Sequence, residues 1–263
     1  MRSLRVAVSL FTVIPVGGDA ELREGEAVRA VLWMPVVGLL LGLAGAGVML
    51  GVDAGGSGGP RRLLGAALAV ALIALVTGGL HLDGLADTAD GLGSRRAAAD
   101  ALAIMRRSDV GPMGVAALVL VLLIQVAALA SVPRASLGAA ALVLAQVTGR
   151  VSVVVATGSP AARPGGFGAL VAGQTTERAR VLVVAILGCA IAAAGLAAGT
   201  AGLTSHGAGL AASGLAAAFG GLLAGTALQQ VARRRLGGMT GDVFGAIVEV
   251  SAATTMVAFA LIS

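Results

Sequence analysis

Three aspartates, Asp83, Asp87 and Asp90, fall within eight residues of "GGLHLDGLADTADGLGSRR", directly after the apolar run "LLGAALAVALIALVT". If the helix of that run continues through residue 90, their i, i+4, i+7 spacing puts all three on one face, in a sector of about 60°. Neighbouring Cβ atoms would stand about 5–6 Å apart. Two unit charges 6 Å apart at an effective dielectric of about 20 repel by roughly 2.8 kcal/mol. Such a cluster calls for protonation, arginine partners or a metal. Mg²⁺ suits it, being a hard cation that takes one or two carboxylates and fills its shell with water and substrate phosphate. Two other readings are a solvated acidic loop turning on Gly84, Gly91 and Gly93, and the acids of a cation pathway in a transporter. A pathway places its acids near the bilayer midplane on interrupted helices, whereas these stand at one end of a span.

Other polar residues fall near these acids or in similar positions. Gly84 gives a small backbone beside Asp83, open to an approaching phosphate. His81 lies off the acid face and could contact substrate, serve as a base or make a local interfacial hydrogen bond. In "ALAIMRRSDVGPMG", Arg106 and Arg107 could clamp a diphosphate or simply anchor the chain at the membrane surface. Arg150 lies inside an apolar run near Gln146 and Thr148. A charge there costs about 2.5–3.5 kcal/mol on insertion scales, so it should face the bundle, with an aspartate as the natural partner. In "RRRLGGMTGDVFGAIVEV", Asp242 follows a Gly-rich turn and Glu249 comes seven residues later on the same helical face. No P-loop, zincin or nucleophile-elbow motif is present. The acids best support metal-assisted transfer of a phosphoryl-type group.

These residues are carried by a chain that is 57% hydrophobic and 12% charged, with mean hydropathy +0.98. A soluble domain has roughly 25% charged residues. The expected fold is all-α: a polytopic membrane helix bundle, residues 1–263 forming one integral membrane domain. Apolar runs long enough to span fall at about 31–52, 62–82, 112–132, 136–157, 180–203, 207–231 and 244–262. The N-terminal "MRSLRVAVSLFTVIPV" has no signal-peptide cleavage site and reads as a short interfacial or re-entrant helix. Cys189 lies in an apolar run, and His206 in a loop is given no role.

All basic residues are arginine. With the N-terminus in the cytoplasm, Arg2, Arg5, Arg23, Arg29, Arg95, Arg96, Arg106, Arg107, Arg163, Arg178, Arg180 and Arg233–Arg235 fall inside. Arg61, Arg62 and Arg134 fall outside. Fourteen against three is the bias expected of a cytoplasmic-membrane protein. It puts the aspartates, "RPGGFG" and "GGMTGD" at the inner face, beside the lipid bilayer. It also explains the net charge of +5 without a nucleic-acid partner.

"TGGLHLDGLADTADGL", "ALAIMRRSDVGPMG" and "RRLGGMTGDVFGAIVEVS" occur in this order, after "FTVIPV" and "MPVVGLLLG". Together they resemble the adenosylcobinamide-GDP ribazoletransferase (cobalamin synthase) family over nearly the whole chain. The resemblance implies an inner-membrane enzyme of late vitamin B12 assembly. Such an enzyme joins adenosylcobinamide-GDP to α-ribazole or its 5′-phosphate, releases GMP and requires Mg²⁺. It implies site residues Asp83, Gly84, Asp87, Asp90, Ser108, Gly241 and Asp242, with Arg150 and Arg163 matching arginine positions. The family usually reads Asp-Ser-Arg where this chain has Arg107-Ser108-Asp109, an exchange that a swapped ion pair could tolerate.

Together, the resemblance and the residue chemistry give one expected site. Asp83, Asp87, Asp90 and Asp242 are the expected catalytic residues and ligands of one or two Mg²⁺ ions, with Asp90 taking the hydroxyl proton. His81, Gly84, Arg106, Ser108, Arg150, Arg163, Gly241 and Glu249 are the expected substrate contacts. A homo-oligomer is compatible with this reading. The rival readings are a CDP-alcohol phosphotransferase-like enzyme, whose motif would need an arginine where Asp87 stands, and a cation-coupled transporter.

Overall fold

The structure is a computed structural model and describes residues 2–16, 25–56, 58–200 and 207–263. Arg23, His206 and residues 201–203 of the expected fifth span lie outside the described residues. Eleven helices run through the described chain: α1 (Arg2–Phe11), α2 (Glu26–Ala54), α3 (Gly59–Val76), α4 (Leu80–Gly93), α5 (Ala98–Ile104), α6 (Pro112–Ser131), α7 (Ala135–Ala156), α8 (Gly166–Val171), α9 (Glu177–Thr200), α10 (Gly207–Leu236) and α11 (Gly241–Ile262). Seven of them, α2, α3, α6, α7, α9, α10 and α11, are long and apolar enough to cross a membrane. The fold is therefore the expected polytopic helical bundle.

Burial sorts the spans. Helices α7 and α11 form the centre, with α2 and α10 packed on α7 and α4, α6 and α10 on α11. Helices α6 and α9 turn most of their surface outward, as with Leu120, Leu123, Leu182 and Ile186. Lipid tails are as apolar as these side chains, so small residues at the interfaces decide which helices meet. Gly38 and Gly42 do this between α2 and α7. A Cβ on Gly38 would lie 2.5 Å from the Gln146 carbonyl oxygen, and one on Gly42 would lie 2.8 Å from the Val143 Cα.

The second span ends earlier than expected, at Val76 rather than near residue 82. Thr77 caps the helix through its hydroxyl, which donates to the Ile73 carbonyl at 2.9 Å. Gly78 and Gly79 then take φ of 60° and 71°, a left-handed turn open to glycine at no steric cost. The aspartates therefore ride on a separate helix, α4, and not on a prolonged span. Their one-face spacing survives because α4 covers residues 80–93.

Connections 77–111, 157–176 and 237–240 gather at one end of the bundle. There the Ala162 amide donates to the Met239 carbonyl at 2.9 Å, and the Met239 amide to that of Pro160 at 2.8 Å. At the opposite end, Arg62 donates to the carbonyls of Val132 and Pro133 at 2.9 and 3.0 Å. Helix α1 lies at the first end. It buries Ala7 and Phe11 and exposes Arg2, Arg5 and Ser9. It is held by an Arg2–Glu26 ion pair at 2.6 Å and by the Val13 amide donating to the Val76 carbonyl at 2.8 Å.

Candidate functional site

The site is set where α4 crosses the start of α11. Gly84 sits at the crossing: a Cβ there would lie 2.6 Å from the Asp242 carbonyl oxygen and 3.0 Å from its Cα. This corrects the expectation that Gly84 makes room for a phosphate. The missing side chain lets two helices touch, and that contact brings the α4 acids to Asp242. Thr240 caps α11, its hydroxyl accepting from the Val243 amide at 3.2 Å and donating to Asp242 Oδ2 at 3.1 Å. Arg163 arrives on the loop tied to Met239, with Nη2 3.5 Å from Asp242 Oδ2 and Nη1 donating to the Leu102 carbonyl at 3.3 Å.

Asp83, Asp242, Arg163, Gly241 and His81 line one cleft of about 390 Å³. Asp87 stands one turn beyond Asp83. Partial burial, together with the charges of Asp83, Asp242 and Asp90 and against one opposing charge from Arg163, raises its carboxyl from 3.8 to about 6. Among the described residues, three other carboxylates and one guanidinium thus act on Asp87. Among the described residues no three acidic, histidine or cysteine side chains already stand close enough to hold an ion. The donor set nevertheless fits Mg²⁺, which takes one or two carboxylates and completes its shell with water and phosphate oxygens.

Asp90 shares the acid face but has a different commitment. The Gly111 amide donates to its Oδ2 at 2.6 Å and the Gly114 amide to its Oδ1 at 2.9 Å. It caps the N-terminus of α6 from a neighbouring helix, where a negative charge is favoured. The expected acceptor of the hydroxyl proton thus has each of its oxygens already accepting one backbone hydrogen bond.

Other expected residues lie away from the cleft. Arg106 and Ser108 are exposed and do not line it. Arg107 pairs bidentately with Asp109 at 2.9 Å for both contacts. This hydrogen bond lowers the Asp109 carboxyl below its usual range, and the pair shows how the exchanged charges are accommodated. Arg150 is 2% exposed inside the bundle and donates to the Gln146 carbonyl at 3.3 Å and to Gln146 Oε1. Its anionic neighbour is Glu249, not an aspartate. Glu249 itself accepts from Gln125 Nε2 at 2.8 Å. Arg150 and Glu249 thus form a buried polar group beneath the site.

His81 is 4% exposed, and neither ring nitrogen has a hydrogen-bond partner in the protein. Burial, helped by the Arg150 charge, holds its imidazole well below its ordinary value and therefore neutral. Sequence reasoning missed the apolar wall that faces these groups: Phe11 of α1, Met34 of α2, Phe167 of α8 and Phe244 of α11. Phe11 meets Phe167 edge-on, with ring centroids 5.6 Å apart. No chemical motif marks such residues. Thr240 was findable, since a threonine just before an acidic first turn is a helix-cap signature.

The family model described as cobalamin-5-phosphate synthase matches residues 3–260. An adenosylcobinamide-GDP ribazoletransferase of Frankia casuarinae is 40% identical over 99% of this chain and 95% of its own. Those of Bradyrhizobium diazoefficiens and Stutzerimonas stutzeri are 39% and 38% identical, over 92% and 99% of this chain and 87% and 98% of theirs. No solved structure matches. With the match running almost from end to end and through every motif that builds the cleft, the chain belongs to the cobalamin-5-phosphate synthase family.

Proposed function

We propose that this protein is a Mg²⁺-dependent adenosylcobinamide-GDP ribazoletransferase of the cytoplasmic membrane, acting at the inner face. The observation that carries the reading is the grouping of Asp83, Asp87, Asp90 and Asp242 around one arginine, Arg163. A phosphate-bearing substrate and its cation supply the charge such a site lacks. The relatives are named adenosylcobinamide-GDP ribazoletransferases, and the acceptor is accordingly read as α-ribazole or its 5′-phosphate. One or two of Asp83, Asp87 and Asp242 would hold Mg²⁺ together with diphosphate oxygens. Bound there, the ion would neutralise charge developing on the transferred and leaving groups.

The chain's own groups account for the remaining steps. A ribazole hydroxyl attacks the phosphorus joined to the cobinamide, the bond to the GMP oxygen breaks, and GMP departs with that electron pair. The hydroxyl proton passes to Asp87, since Asp90 is engaged by two amides. Arg163, held by Asp242 and the Leu102 carbonyl, faces the departing phosphate. The Gly241 backbone at the start of α11 adds the positive end of a helix dipole. The arginine count favours the cytoplasmic side for this end of the bundle, where nucleotides are available.

The test is GMP release by purified protein supplied with both substrates and Mg²⁺. Asp83→Asn and Asp242→Asn should each lower kcat/KM by about 10²-fold or more, the scale of a lost transition-state electrostatic contact. Normal turnover by both variants would sink the assignment of the site.

A further inference from the structure

The cleft is lined by two chemically distinct sets of side chains. One carries the carboxylates and Arg163. The other is built from Phe11, Met34, Phe167 and Phe244. Of the lining side chains, His81 and Thr240 are buried and polar. The Thr240 hydroxyl is committed to Asp242 and Val243. The His81 ring nitrogens are shielded from solvent and have no partner in the protein. A buried donor without a partner is destabilising, and a ligand group that satisfies it gains that hydrogen bond.

We propose that this apolar wall is the base pocket for the nucleoside acceptor, with His81 as the residue that recognises it. The inference rests on the proposed transferase reading and adds which part of which substrate occupies the inner cleft. Three ligand parts compete for the space. The corrin ring is too large for a cleft of about 390 Å³. Guanine presents several donors and acceptors around its edge; Phe11, Met34, Phe167 and Phe244 offer them no partner, so guanine is better met beside Asp83, Asp242 and Arg163 than against the apolar wall. The base of α-ribazole is an alkylated, bicyclic aromatic ring with one unsubstituted ring nitrogen. Its faces and methyl groups suit the phenylalanine wall, and its single acceptor matches a single imidazole N–H. Reaching that acceptor requires the His81 ring to rotate about its Cα–Cβ bond.

The experiment compares α-ribazole with the analogue in which the unsubstituted ring nitrogen is replaced by CH, for the wild type and for His81→Phe and His81→Asn. The readout is Mg²⁺-dependent GMP release with adenosylcobinamide-GDP saturating. The wild type should lose about tenfold or more in kcat/KM on the analogue, mainly through KM, the scale of one hydrogen bond in a desolvated site. His81→Phe should treat the two nucleosides alike, with the KM for adenosylcobinamide-GDP unchanged. His81→Asn, which keeps a donor, should recover part of the preference. Equal use of both nucleosides by the wild type would overturn the proposal, even if His81→Phe failed to fold. So would a persistent tenfold preference in His81→Phe, or an effect of that variant confined to the KM for adenosylcobinamide-GDP. Absence of GMP release by the wild type with the natural pair would instead refute the transferase reading itself.

Discussion

Substituting Gly84 by alanine tests whether the helix crossing, and not only the acids, makes the site. The added Cβ would meet the Asp242 carbonyl oxygen at 2.6 Å and the Asp242 Cα at 3.0 Å. Both neighbours are backbone and neither can rotate away. Widening the crossing from 2.6 Å to ordinary contact at 3.4 Å moves α4 and α11 apart by about 0.8 Å. Overpacking of this kind costs about 1–3 kcal/mol of stability. The functional cost is larger in proportion, because a displacement of about 1 Å in a positioned site can lower turnover by about 10²-fold. Gly84→Ala should therefore remain folded in detergent, with a lowered unfolding midpoint, and release GMP about 10²-fold more slowly. The control is Gly47→Ala on α2, where an added Cβ meets nothing within 4 Å, so activity and stability should stay near wild type. If Gly84→Ala turned over at the wild-type rate, the close contact at Asp242 would not be what aligns the acids, and the geometric account of the site would fail.

Three further predictions follow from the same contacts. Asp90→Ala removes both acceptors at the start of α6 and should cost about 0.5–2 kcal/mol in unfolding experiments. Its kcat/KM should fall far less than that of Asp83→Asn, and the reverse order would restore Asp90 to the chemistry. Arg150→Leu removes the cation nearest half-buried Glu249 and the hydrogen bonds to Gln146, and should destabilise by about 1–3 kcal/mol. Adding Glu249→Leu should recover part of that loss, and no recovery on a thermal melt would argue against their coupling. Asp87, raised from 3.8 to about 6, binds more protons folded than unfolded between those values. The metal-free protein should therefore lose stability as pH rises through that window. Mg²⁺ competes with that proton, so its stabilisation should be larger at pH 7 than at pH 5. Equal Mg²⁺-induced shifts in unfolding temperature at both values would remove Asp87 from the ion's ligands.

A sequence carries some physical signals locally and others only through the fold. Apolar length is written directly into the chain, because a span must be about 20 residues of low polarity, and all seven spans were recoverable within a few residues at most ends. The exception, the second span, failed for a specific reason. Thr77, Gly78 and Gly79 interrupt a pattern that hydropathy alone reads as continuous, and two left-handed glycines cost hydropathy almost nothing. The acid cluster was legible because carboxylates beside an apolar run have few cheap explanations. What each acid does was not. Asp83, Asp87 and Asp90 have the same side chain and the same helical face, yet Asp90 alone meets the amides of α6, 21 and 24 residues away in sequence. Similarly, nothing local distinguishes Gly84, which must be glycine against Asp242, from Gly47, which meets nothing. In a chain with 41 glycines, composition masks the few that matter. The apolar cleft wall is hidden for the complementary reason: Phe11, Phe167 and Phe244 look like ordinary core residues until α1, α8 and α11 converge. Residue type therefore reveals where charge must be neutralised, whereas the division of labour among identical residues is set by long-range packing.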